Sequence, residues 1–73
     1  MIKANTIMNF KVRTARKGEG FSLQWEGQLT TLEDSTKKAL SANLIDQFLQ
    51  DINGKLSTQN YRPEEIRISL AVA

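Results

Sequence analysis

The sequence contains no cysteine and no histidine. Without cysteine there is no disulfide and no thiolate nucleophile, and nothing points to an oxidising compartment. Without histidine the chain lacks the commonest metal ligand and the usual general base near neutral pH. No apolar run approaches the roughly 20 residues that cross a bilayer. The opening MIKANTIMNF has one lysine and no apolar stretch of about 7–15 residues, so a secretory leader is not expected and a cytoplasmic setting is.

Other chemistry is also thin. Acid–base catalysis here would have to use carboxylates, lysine or tyrosine, and the eight acids are scattered. Glu33 and Asp34 are adjacent, but they sit where a helix is expected to begin, and a helix N-terminus favours anions. Glu64 and Glu65 follow the single proline, Pro63, in a polar loop, and Asp46 and Asp51 are five apart, so they do not share a helical face. Gly18-Glu19-Gly20 lies between two strand patterns rather than between a strand and a helix, which argues against a phosphate loop. The reading is a non-enzyme, with no catalytic residue, no cofactor-binding residue and no metal ligand.

What is present is enough for one small domain spanning residues 1–73. The chain is 40% hydrophobic and 25% charged, too apolar for disorder. At this size only about 60% of the unfolded surface is buried, so the core is thin and association is a natural way to enlarge it.

The hydrophobic pattern sets out four segments. From Thr6 to Ala15 it alternates, with Met8, Phe10, Val12 and Thr14 on one face and Asn9, Lys11 and Arg13 on the other, the period of a half-buried strand. Arg16 to Gly20 reads as a turn. From Phe21 the alternation resumes, with Phe21, Leu23, Trp25, Gly27 and Leu29 inward, so the two runs form a hairpin. Gly27 marks either a bulge or, with Glu26, a tight turn that splits the run. Thr31 is the expected helix cap, and Leu40, Leu44, Ile45, Phe48, Leu49 and Ile52 form one apolar helical face. Asn53-Gly54 is the expected stop, and Ser41 could kink the helix near 41–43. After a polar loop from Leu56 to Glu65, Ile66, Ile68, Leu70 and Val72 alternate as a last strand running to the end of the sequence. Residues 1–5 are expected to fray.

The expected fold class is therefore α+β, a two-layer ββαβ arrangement. One long helix covers one face of a three-stranded antiparallel sheet of order 2-1-3.

Charge is unevenly spread. Residues 1–18 hold five bases and no acid, residues 19–54 six acids and two lysines, and residues 55–73 three bases and two acids. Local charge thus runs +5, −4 and +1, to the net +2. Lys11, Arg13, Arg16, Lys17 and Arg67 are the candidate contacts for a partner or for nucleic acid, as a basic stripe on the sheet's outer face. The strand aromatics all fall on the inner face, so that stripe lacks a stacking platform for bases. Trp25 reads as core, with an interface anchor as the alternative, and Tyr61 beside Arg62 as a possible binding surface.

The functional expectation is a small interaction or regulatory protein, an adaptor, inhibitor or accessory, that contacts another protein or itself. Weak nucleic-acid binding is the alternative. For a homodimer the last strand is the expected edge, through Arg67, Ser69, Leu70 and Ala71, since Arg67 alone guards it. Glu26 and a bulge at Gly27 would protect the second strand.

Overall fold

The computed structural model describes residues 1–18, 20, 22–55 and 60–73, with the side chain of Lys55 excepted. It contains strands β1 (Ile7–Thr14) and β2 (Gln24–Thr30), helix α1 (Lys37–Lys55), a 3₁₀ turn at Pro63–Glu65 and strand β3 (Ile66–Val72). The sheet order is β2-β1-β3 and both pairings are antiparallel, as the ββαβ reading requires.

β1 is central because the hairpin sets β2 on one side of it and the connection through the helix returns β3 to the other. Met8, Phe10, Val12 and Thr14 are all buried, and every intervening residue is exposed. Thr14 is tolerated there because its hydroxyl accepts the Leu23 N–H at 3.0 Å. The ladder to β2 runs without interruption from Ile7↔Thr30 to Arg13↔Gln24. Neither a bulge nor a turn occurs at Gly27, which pairs with Phe10. The glycine has a packing reason instead: a Cβ there would stand 3.3 Å from the Phe10 ring. Phe21, expected inward, and Glu19 lie outside the described residues.

The helix begins five residues later than its sequence cue. Thr36 is the cap: its hydroxyl accepts the Ala39 N–H at 3.1 Å, and its carbonyl accepts the Leu40 N–H. Thr31 cannot serve, because its side chain is committed to the N-terminal segment. Its Oγ1 accepts the Thr6 N–H at 2.9 Å and donates to the Lys3 carbonyl at 2.6 Å. Asp34 is drawn the same way, accepting the Ala4 N–H at 2.9 Å with Lys3 at 3.7 Å. Residues 1–5, expected to fray, carry these bonds and a bridge between Ile2 and Ser35. Glu33 and Asp34 are thus loop residues, and no acid stands in the first helical turn.

No break occurs at 41–43, and the helix runs past Asn53-Gly54 to Lys55. Asn53 has a different task from stopping it. Its side-chain amide clamps the Tyr61 backbone from both sides, donating to the carbonyl at 3.1 Å and accepting the N–H at 2.8 Å. Of the expected polar loop, Leu56 to Gln59 lie outside the described residues.

Leu44, Phe48 and Ile52 of α1 complete the core with Met8, Phe10, Val12, Tyr61, Ile66 and Leu70. The helix packs chiefly over β3 and β1 and meets β2 through Phe48 against Trp25. Three strands about 4.8 Å apart make a sheet wider than the roughly 10 Å that one helix covers, so one strand is left over. That strand is β2.

Candidate interaction site

The site is the consequence of that mismatch. On β2 the inward residues Trp25 and Leu29, and Leu23 just before the strand, are only half-buried. Trp25 therefore belongs to neither of its expected extremes. Its ring meets Phe10 edge-on at 4.7 Å and lies parallel to Phe48 at 6.5 Å, while its other side faces an open groove. The groove holds about 590 Å³ between Leu23, Gln24 and Trp25 on one wall and Gln47, Phe48, Asp51 and Ile52 on the other. A second hollow of about 280 Å³ continues it past Leu29 toward Leu40 and Asn43. An apolar floor between polar walls is the usual composition of a binding groove.

The backbone beside the groove is unpaired. Thr14 N–H donates to the Leu23 carbonyl and Thr31 N–H to the Thr6 carbonyl. Odd-numbered β2 residues therefore bond to β1, and Gln24, Glu26, Gln28 and Thr30 aim their N–H and C=O groups away from the sheet. Among the described residues nothing bonds to these groups.

β3 differs. Its ladder is set by Ala73 N–H to the Ile7 carbonyl and Ala15 N–H to the Glu65 carbonyl, so Ile66, Ile68, Leu70 and Val72 point outward with their backbone groups. The Ile66 N–H is already donated to Pro63, and its carbonyl accepts from the Arg67 guanidinium at 3.3 Å. Arg67 also donates to the Glu64 carbonyl at 2.8 Å. The lone arginine thus closes the start of the edge it was expected only to guard. Ser69 and Ala71 are exposed on the outer face, whereas the Leu70 side chain is buried. Val72, expected inward, is 67% exposed, although its partner Met8 on β1 is buried.

The basic stripe is dispersed in part. Lys11, Arg13 and Arg67 do share the exposed outer face, with Arg13 directly opposite Arg67 and Lys11 between Glu26 and Ser69. Lys17 is exposed in the hairpin loop. Arg16 is not part of the stripe. It grips Glu65 through two bonds of 2.7 and 3.2 Å, donates to the Asn60 carbonyl at 2.8 Å, and covers the Tyr61 ring at 4.0 Å. Arg16, with the Arg62 N–H, lowers the Glu65 carboxyl to about 2. Tyr61 is accordingly a buried core residue rather than a binding surface. Sequence reasoning missed this assembly because its members are 44 to 49 residues apart.

Among the described residues no three acidic side chains gather as a metal site, and no helix is long and apolar enough to cross a membrane. No protein-family model, no curated protein and no solved structure matches the chain.

Proposed function

We propose that this protein is a small non-enzymatic interaction module, cytoplasmic in setting, whose working surface is the β2 edge together with the groove between β2 and α1. One observation carries the reading. A row of unpaired backbone groups runs beside a half-exposed tryptophan, so an arriving strand would gain hydrogen bonds from the edge and apolar contact from the groove. A monomer with no partner would ordinarily cover or blunt such an edge. The test is site-specific photo-crosslinking in the native cell. A photoreactive residue at Gln28 should give a discrete covalent adduct, and the same residue at Asp46, an exposed position on α1, should not. Equal labelling from both positions, or none from Gln28, would remove the reading.

A second reading, weak nucleic-acid binding, is favoured by the placement of Arg13 opposite Arg67. Two cations held across adjacent strands repel unless an anion sits between them. Fluorescence anisotropy with single- and double-stranded DNA and RNA at low salt tests it. Micromolar binding that weakens in Arg13→Gln and with added salt would support it, and absence of binding would end it.

A further inference from the structure

We infer that the partner at the β2 edge is a second copy of this chain, joined antiparallel about a two-fold axis through Gly27. The inference rests on the reading of β2 as the working surface and names what occupies it.

The argument is one of register. A two-fold axis can pair a strand only with itself running the other way. The hydrogen-bonding positions on the free edge are Gln24, Glu26, Gln28 and Thr30. An axis at Gly27 sets Gln24 against Thr30 of the second copy and Glu26 against Gln28, so each outward position meets another and the whole of β2 is used. Gly27 then faces its own copy in the close, non-bonded pairing, where backbones approach to about 4.5 Å. It brings no side chain to that approach. On the inner face the same register places Trp25 of one copy against Leu29 of the other, both half-exposed in the single chain. On the outer face Glu26 meets a glutamine, so no like charges are opposed. Moving the axis to Glu26 would set two glutamates face to face, and moving it to Gln28 would leave Gln24 unpaired.

β3 offers a poorer ladder. The same construction about Ser69 needs Ile66 to bond with Val72 of the other copy, but the backbone groups of Ile66 are already used by Pro63 and Arg67. The expectation of a β3 dimer rested partly on a bulge protecting β2, and that bulge is absent.

Charge at Gln28 provides the test, because Gln28 is exposed and its replacement leaves the core untouched. Sedimentation equilibrium of the full chain over about 5–500 μM, a range suited to weak association, should show the mass rise from 8.2 kDa toward twice that value. Gln28→Lys, which opposes a cation to Glu26 twice per dimer, should tighten association. Gln28→Glu should loosen it, each by roughly two- to thirtyfold at ordinary cross-strand strength. Val72→Pro, which blocks the β3 edge at an exposed position, should change nothing. Circular dichroism establishes that each variant is folded. A mass of 8.2 kDa throughout for both the natural chain and Gln28→Lys would overturn the inference. So would a dimer indifferent to charge at Gln28 and lost in Val72→Pro. A monomer that still crosslinks to a different protein through Gln28 rejects the second copy and leaves the interaction surface standing. A monomer with no adduct rejects both.

Discussion

The two edge strands are built to the same pattern and end in different states. β2 and β3 are each seven residues long, alternate apolar and polar, and pair with β1 in unbroken registers. β3 lies under the helix: Ile66 and Leu70 are buried, and its first backbone groups are closed off by Pro63 and Arg67. β2 lies at the margin of the helix, with half-exposed apolar residues and outward-facing backbone groups. How much of an edge strand's apolar face stays open is thus decided by which layer passes over it, and how much of its backbone stays open by local contacts such as those of Arg67. The groove beside β2 is what remains when one helix is laid over three strands.

The largest test of that contrast is a matched truncation. Leu70→Ala removes a buried side chain beneath the helix and should cost about 2–5 kcal/mol. Leu29→Ala, on the uncovered strand, should cost about 1 kcal/mol, since roughly half of that surface is already wet. Urea denaturation measures both, and equal losses would mean that the helix covers the two sides alike.

The clamp at the start of β3 sharpens the comparison through pH. Glu65 is held to about 2 in the folded protein, against an ordinary value of 4.5. Its contribution is complete above pH 4.5 and is lost as the pH falls toward 2. Stability measured down that range should fall more steeply in the natural protein than in Glu65→Gln, and the first amides to exchange should be those of residues 60–66. Parallel acid profiles for the two proteins would show that the Arg16–Glu65 pairing adds nothing.

Gly27 offers a smaller test. Alanine in a strand ordinarily gains stability over glycine. Here the new methyl meets the Phe10 ring, itself held by Trp25, and a net loss of about 1 kcal/mol is expected. A stabilised Gly27→Ala would show that the ring can move aside. The smallest effect belongs to the outer face. Arg13→Thr relieves the repulsion across to Arg67 and should raise stability by a few tenths of a kcal/mol at low salt. The gain should vanish near 1 M salt, and a gain that survives it would point to strand propensity instead.

Much of the fold was legible because period-two and helical patterns are local. β3 matched its expected start at Ile66, the inner face of β1 matched residue for residue, and the order 2-1-3 followed from connecting a hairpin through a helix to a last strand. The helix start was misread because a threonine followed by acids resembles a cap. Only the fold reveals that the Thr31 hydroxyl is engaged by Lys3 and Thr6. Arg16 looked like a member of a basic run for a similar reason, since its partners Asn60, Tyr61 and Glu65 are distant in sequence. Gly27 forms neither a bulge nor a turn with Glu26, since glycine in a strand also answers to close packing, and a Cβ at this position would stand 3.3 Å from the Phe10 ring.

The residue pattern thus carried the order of the elements, the apolar face of β1 and the chemistries that lack their side chains, because these depend on residue type and short-range spacing, while β2 begins at Gln24 rather than at Phe21. The tertiary structure alone decided which strand is least covered, which cations are already engaged, and which edge has its first backbone groups closed. Those outcomes depend on where a helix about 10 Å wide comes to rest on a wider sheet, and no local pattern records that position.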